Sequence, residues 1–383
     1  MGICKVGILG CGNISSTYVS DIQRFYKDLQ IVACANRSPE KAKALAAQFG
    51  IPKAYTPEEL LQDPEVELVI NLTPPQSHVQ LNKQILSAGK HLFSEKPFAP
   101  TLEEAKEVAA LAKEKGLLAA CAPDTFLSSG LQSMRFYLDA GLIGKPFFVT
   151  ANMTTFGVET WHPDPTAFYK KGAGPIMDMA PYYLSAIVSL LGPIESIASL
   201  SAQPSDTRLV YAGDLAGSRI PVETPTHYTA ILKLCSGVVV NLNMSFDIYK
   251  SNLPMLEIYG DGGTLAYPDP NFGGGTPKVY RKEQYLETVW QDNPESRARK
   301  EAFRDLPELF PRVKDYSRGI GVLDLAKAIE EGRNPRAGMD LMLHVTEAME
   351  ALVASANTGS FYRMTTTCVR PEPIAPGGSP EEL

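Results

Sequence analysis

The chain has 383 residues, of which 44% are hydrophobic, 9% aromatic and 21% charged, and its 36 basic and 43 acidic side chains leave a formal charge of −7. That length exceeds what one core usually serves, so two domains are expected, and the apolar share is too high for a disordered chain. The acidic balance without basic runs argues against nucleic acid or an anionic membrane surface as partner, and no stretch approaches the roughly 18 apolar residues of a membrane helix.

Along the first third, short apolar runs at 6–9, 31–35, 66–72, 91–94 and 117–122 alternate with helical patterns. Gly10 breaks the first run, and a helix is predicted over 16–25. Ser38 followed by Pro39 supplies a helix cap with proline at the first helical position. Thr56-Pro57-Glu58-Glu59 and Thr101-Leu102-Glu103-Glu104 both have the capping-box pattern, in which threonine takes an orphan amide and the later glutamate reaches back. Strands alternating with such helices predict a parallel, doubly wound sheet.

From about residue 144 the texture changes. Long strand-like runs at 147–155, 194–202, 227–234 and 238–246 follow, with tight turns at Cys235-Ser236-Gly237 and Gly260-Asp261-Gly262-Gly263. These predict an α+β domain with a large, mostly antiparallel open sheet, whose bare face invites a second subunit. Helical periodicity returns at 321–331 and 341–356, expected to pack back on the body, and the tail from Arg370 is expected to be flexible. The division implied is 1–123, 124–369 and a tail of 370–383. Six scattered cysteines, mostly in apolar runs and without CxxC spacing, predict neither a metal site nor a disulfide framework. With no charged leader and apolar region at the start, a cytoplasmic location is expected.

Gly10-Cys11-Gly12-Asn13-Ile14-Ser15 directly follows the first strand and precedes a helix. This is a G-x-G-x-x-S form of the dinucleotide fingerprint: Gly10 permits the tight turn, and Gly12 lets a pyrophosphate approach the backbone at the positive end of the helix. Ser15 stands where a third glycine or alanine is usual. The second strand ends at Asn36-Arg37, where NAD-selective sites carry an acid for the ribose hydroxyls. Asn36 is neutral and Arg37 offers a fork for a 2′-phosphate, so NADP is expected over NAD.

Ser94-Glu95-Lys96-Pro97 ends the fourth of these runs, at the edge where open α/β sheets bind ligands. A lysine there, beside an oxidised nicotinamide, suits proton exchange with a hydroxyl during hydride transfer. Thr73-Pro74-Pro75 ends the preceding run as a rigid loop, with His78 shortly after as a pocket residue. Thr160-Trp161-His162-Pro163-Asp164-Pro165 with Phe168-Tyr169 is rich in side chains that grip sugars, which makes Trp161, His162 and Tyr169 candidate substrate contacts; Asp124 is another. Arg135 and His344 are assigned to packing and salt bridging.

These motifs, followed by Gly172-Ala173-Gly174-Pro175-Ile176-Met177-Asp178-Met179-Ala180-Pro181-Tyr182, resemble the Gfo/Idh/MocA family over nearly the whole chain, to about Gly359. The resemblance implies an N-terminal Rossmann domain (residues 1–123) and an α+β domain (124–369) for substrate and oligomerisation. It implies hydride transfer at a hydroxyl or carbonyl carbon of a sugar, cyclitol or related small polyol, in a homodimer or homotetramer built through the C-terminal sheet. Carried over by position, Lys96 is the proton-transfer lysine, Asp178 orients substrate, and Glu95, Thr73, Pro74 and His78 line the cofactor with Gly10, Gly12, Asn13, Ile14, Asn36 and Arg37. Tyr182 stands where many members place a catalytic histidine. In this the chain is similar to the glucose–fructose oxidoreductase and dihydrodiol dehydrogenase branches, which favour NADP. On a helix Asp178 and Tyr182 share a face; alternatively Asp178 is a helix cap with Pro181 in the first turn, and the shared face lapses. Two other readings use the same scaffold: glycoside hydrolysis with a borrowed and returned hydride, and a silent dinucleotide-binding sensor.

Overall fold

The computed structural model describes residues 2–289, 302–310 and 317–375. Among them the contacts separate two units, one from 1–129, 310–346 and 371–383, the other from 130–309 and 347–370. The first unit extends past residue 123 and takes back a C-terminal helix.

In the first unit, β1 (Cys4–Leu9), α1 (Asn13–Phe25), β2 (Leu29–Ala35), α2 (Pro39–Phe49), β3 (Lys53–Tyr55), α3 (Pro57–Gln62), β4 (Leu68–Asn71), α4 (His78–Ser87), β5 (His91–Ser94), α5 (Leu102–Glu114) and β6 (Ala119–Cys121) alternate as anticipated, β3 being the strand the sequence did not reveal. The sheet order is β3-β2-β1-β4-β5-β6 with every pair parallel. Such a sheet is covered on both faces, which is why β4 is buried throughout. The order reverses between β1 and β4, the point at which open α/β sheets form a crevice at their strand ends.

Local chemistry sets the helix starts. At α3 the capping box is complete: the Glu59 amide donates to Thr56 Oγ1 at 3.3 Å and the Thr56 amide to Glu59 Oε2 at 2.8 Å. Thr101 caps α5 through the Glu104 amide. Ser38 stands at the cap position of α2 with Pro39 after it, but its hydroxyl bonds the Glu40 carboxylate rather than the backbone. The helix Ile320–Glu331 packs on β5 and β6, and Lys327 reaches Asp28 at 2.6 Å.

In the second unit, α6 (Ser129–Asp139), which begins one residue before it, leads to β7 (Pro146–Thr154), α7 (Gly174–Leu191), β8 (Ile194–Ala202), β9 (Thr207–Leu209), β10 (Arg219–Pro221), β11 (His227–Leu234), β12 (Val239–Ser245), β13 (Leu256–Gly260), β14 (Gly263–Tyr267), β15 (Lys278–Arg281), α8 (Lys282–Val289), β16 (Arg304–Asp305) and β17 (Tyr362–Arg363). Among the described residues the large sheet has nine strands in the order β16-β15-β14-β13-β7-β12-β11-β8-β17. Every neighbouring pair is antiparallel except β7 with β12. Alternation decides its faces: Tyr228, Ala230, Leu232 and Leu234 are buried on the side of α7, whereas Ile231 is 52% and Leu200 69% exposed. Arg135 pairs with Asp139, as expected of a packing residue.

The tail expectation is corrected in part. Arg370 donates to the Ser189 carbonyl at 3.1 Å and pairs with Asp139 at 2.7 Å, and Ile374 is buried; residues 376–383 lie outside the described residues. Of the six cysteines, Cys34, Cys121 and Cys368 are buried, Cys4 and Cys11 partly so, and Cys235 is exposed in its turn.

Candidate active site

The loop between β1 and α1 has the build of an anion cradle. Gly10 has φ +103°, and a Cβ on it would lie 2.8 Å from the Leu72 and Thr73 backbone, so glycine is required there. Gly12 is the N-cap of α1 with φ −92°, no side chain caps the helix, and no acid lies in its first turn. A Cβ on Gly12 would meet nothing within 4 Å. Uncapped amides at the positive helix end, facing open space, fit a dinucleotide pyrophosphate. Asn13 and Ile14 form the first helical turn. Ser15 is accommodated because its hydroxyl donates back to the Gly12 carbonyl at 2.6 Å. At the end of β2, Asn36 turns its amide toward the Ser38 carbonyl at 3.4 Å, and Arg37 is exposed.

The ends of β4 and β5 are joined by a buried polar chain. Asn71 Oδ1 accepts from the Thr73 amide at 3.2 Å and its hydroxyl at 2.6 Å, and Asn71 Nδ2 donates to Asn82 Oδ1 at 2.8 Å. Asn82 in turn donates to Ser94 Oγ at 3.3 Å. His78, buried at the start of α4, sits 2.7 Å from the Thr73 carbonyl and 2.8 Å from that of Pro97. Its ring therefore clasps the Thr73-Pro74-Pro75 loop to the Lys96-Pro97 loop, and both its nitrogens are occupied by backbone.

Glu95 corrects the reading that placed it against the cofactor. Oε1 accepts from Tyr18 Oη at 2.8 Å and Arg318 Nη1 at 2.9 Å, while Oε2 accepts from the Lys96 amide at 3.0 Å. Burial, with the Glu95 charge beside it, holds the Tyr18 phenol well above its usual range. Lys96 follows, half-buried, at the carboxyl end of β5. Asp124 is corrected as well: it is fully buried and accepts from the Gly321 amide at 2.8 Å, fastening the start of the helix Ile320–Glu331 instead of facing substrate. Burial raises its carboxyl, against the opposing pull of Arg318.

In the second unit, α7 begins behind Ala173 with Pro175 in its first positions, and it runs on through Pro181. Asp178 and Tyr182 therefore lie inside one helix, a turn apart on one face, and the alternative with Asp178 as cap is excluded. Asp178 is half-buried and Tyr182 is 4% exposed. Trp161 is exposed and His162 half-buried; the His162 ring lies between those of Trp161 (5.4 Å) and Phe168 (5.1 Å), its Nδ1 accepting from the Asp164 amide at 3.1 Å.

Tyr169 is not available to a ligand. It is fully buried, its phenol donates to Glu159, and the Arg208 guanidinium lies 5.6 Å over its ring while also pairing with Glu159 and Asp247. Burial first, then the Glu159 carboxylate, push its phenol far up. Tyr169 is a pillar of this buried ion cluster, an outcome that the aromatic spacing around it did not signal.

The residues that sequence reasoning missed are the supports: Tyr18, Asn71, Asn82, Glu159, Arg208 and Arg318. Asn71 was legible as a polar residue inside an apolar run; Arg318, 223 residues from its partner Glu95, had no local signal.

Residues 4–122 match the family model of the Gfo/Idh/MocA oxidoreductases with an NAD-binding Rossmann fold, and residues 131–266 match the Gfo/Idh/MocA C-terminal domain. The chain is 26% identical over 365 residues to a dTDP-3,4-didehydro-2,6-dideoxy-alpha-D-glucose 3-reductase of Saccharopolyspora spinosa, covering 93% of this chain and 98% of that one. It is 31% identical to a trans-1,2-dihydrobenzene-1,2-diol dehydrogenase of Bos taurus over 49% of this chain and 55% of that one. Among solved structures it shares the fold of levoglucosan dehydrogenase in complex with NADH and levoglucosan, with a TM-score of 0.76 at 20% identity, covering 95% of this chain and 100% of that one. With an open dinucleotide cradle, a lysine braced at the end of β5 and both of the family's domains in order, the chain belongs to the Gfo/Idh/MocA oxidoreductases.

Proposed function

We propose that the chain is an NADP-preferring dehydrogenase or reductase for a sugar, cyclitol or related small polyol, in which Lys96 and Tyr182 are the proton-transfer pair and Asp178 orients the substrate. The observation that carries the reading is the bracing of Lys96: its amide is fixed by the buried Glu95 carboxylate at a strand end of the same sheet whose first helix start is uncapped. The substrates for which the relatives are named, a dideoxy sugar nucleotide and a dihydrobenzene diol, support the substrate class, as does levoglucosan.

When bound, the nicotinamide dinucleotide supplies or takes the hydride. The first-turn amides of α1, at Asn13 and Ile14, hold its pyrophosphate, with Gly10 and Gly12 keeping the approach clear. Arg37 takes a 2′-phosphate through its fork, and neutral Asn36 does not repel it. Thr73, Pro74 and His78 shape the loop beside Lys96. The Lys96 amine and the Tyr182 phenol pass the hydroxyl proton of the reacting carbinol, and the Asp178 carboxylate accepts from a neighbouring hydroxyl. Trp161 and His162 are further contacts to the substrate. Copies of the chain associate through the bare sheet face carrying Leu200 and Ile231.

The test is a panel of sugars, inositols and keto-sugars assayed with NADP(H) and NAD(H) at the reduced-nicotinamide absorbance. Stoichiometric absorbance change that is lost in Lys96→Met, with dinucleotide binding retained, supports the reading. Turnover unchanged by that substitution defeats it, and product formation without net absorbance change would favour transient oxidation and hydrolysis.

A further inference from the structure

We infer that Arg318 is a positioning residue for Lys96, acting through the Glu95 carboxylate; this rests on the reading of Lys96 as a proton-transfer group. The route is short and is buried from Arg318 to Glu95. Arg318 Nη1 and Tyr18 Oη share Glu95 Oε1 at 2.9 and 2.8 Å, and Glu95 Oε2 receives the Lys96 amide at 3.0 Å. Glu95 and Arg318 are both nine-tenths or more buried. One carboxylate oxygen is thus pinned by a cation and a phenol, while the other fixes the backbone of the residue that bears the amine.

Arg318 is itself presented from a fixed backbone. Its amide donates to Asp21 Oδ2 in α1 at 2.9 Å, and three residues on, the Gly321 amide donates to Asp124 Oδ2 at 2.8 Å. A Cβ at Gly321 would lie 2.7 Å from Asp124 and 2.9 Å from Phe93, so the segment has no room to slide along the strand ends. The guanidinium also stands 5.8 Å over the Tyr18 ring. A buried ion pair is a poor device for stability alone, since hydrophobic residues of the same volume commonly do as well. Its distinctive product here is orientation: a part of the chain remote in sequence sets the geometry of the β5 end, where small misplacements of a reacting group cost rate steeply.

The experiment uses the full chain with Arg318→Met, Arg318→Lys and the double variant Glu95→Gln/Arg318→Met, which neutralises both members of the ion pair together. The first readout is independent of turnover: the acylation rate of Lys96 by N-hydroxysuccinimidyl acetate, followed by peptide mass spectrometry and referenced to exposed Lys41 and Lys106. Arg318→Met, or the double variant if the single one does not fold, is expected to change the Lys96 rate by about threefold or more and to lower kcat by about tenfold or more, with KM and dinucleotide Kd within about threefold. Arg318→Lys, which keeps the cation, recovers most of kcat. A folded variant with wild-type Lys96 acylation and kcat overturns the inference, and so does a parallel loss of dinucleotide affinity, which would place the role of Arg318 in the cradle. A wild-type chain that turns over no polyol with either nucleotide would end the functional reading instead, and the acylation rates would still decide the role of Arg318.

Discussion

The two glycines of the β1–α1 loop separate the demands of folding from those of binding. Gly10→Ala places a methyl in a backbone of φ +103°, at a cost of about 1–3 kcal/mol. The same methyl meets the Leu72 and Thr73 backbone at 2.8 Å. That backbone cannot yield cheaply, because the Leu72 amide is bonded to the Leu9 carbonyl at 2.8 Å and the Thr73 amide to Asn71 at 3.2 Å. A total loss of about 3 kcal/mol or more is expected. Gly12→Ala meets nothing within 4 Å and has an ordinary φ of −92°, so it should cost no more than about 1 kcal/mol as a poorer helix cap. The Gly12 methyl nevertheless points where a pyrophosphate must come close, and should weaken NADP(H) at least about tenfold, or 1.4 kcal/mol. Urea unfolding and titration by reduced-nicotinamide fluorescence measure the two effects. A Gly12→Ala chain that binds with wild-type affinity refutes the cradle, and a Gly10→Ala chain of wild-type stability refutes the steric argument.

On the proposed role of Arg37, Arg37→Ala should raise the Kd of NADP by about tenfold or more while leaving NAD binding nearly unchanged; equal losses for both would remove Arg37 from the 2′-phosphate. Thr56→Ala removes the acceptor for the Glu59 amide and should cost about 1 kcal/mol, seen as faster hydrogen exchange within α3. Burial holds His91 below its ordinary value, and its Nδ1 accepts from the Leu118 amide at 3.0 Å. Because the unfolded chain then takes the proton first, the fold should lose stability as pH falls below about 6.5, at a fraction of about 1.4 kcal/mol per pH unit for this half-buried ring. His91→Asn, which keeps an acceptor for Leu118 but does not titrate, should flatten that slope in urea unfolding between pH 7.5 and 5.5; an unchanged slope contradicts the assignment. On the proposed association through the sheet face, Ile231→Glu should lower the mass measured by light scattering, and an unchanged mass would contradict that association.

Much of the first unit was legible because its signals are local. Capping chemistry at Thr56 and the glycine loop at Gly10 each act within a few residues of where they are written. The strand β3 escaped because Lys53–Tyr55 has three residues and a charged start, too short for any periodicity to register. In the second unit the tight turn at Gly237 predicted the antiparallel β11–β12 pair. The parallel pairing of β12 with β7 has no such mark, since the two are separated by α7 and several strands. The site divided the same way. The strand end at Lys96 was readable in place and the sequence left Asp178 as either a helix residue or a cap, whereas the partners that brace Lys96 are assembled by tertiary structure. Tyr169 and Asp124 were misread for one reason: polar tips near a presumed pocket look alike in sequence, whether they face a ligand or a buried carboxylate or amide.

The central claim is that the Lys96 amine and the Tyr182 phenol serve the same proton transfer. Its most direct test is a double-mutant cycle in single-turnover hydride transfer, using Lys96→Met, Tyr182→Phe and both together with dinucleotide saturating. Groups acting as a unit predict that each single variant loses nearly as much rate as the double. Losses that simply add, or a Tyr182→Phe chain that transfers hydride at the wild-type rate, would contradict the account.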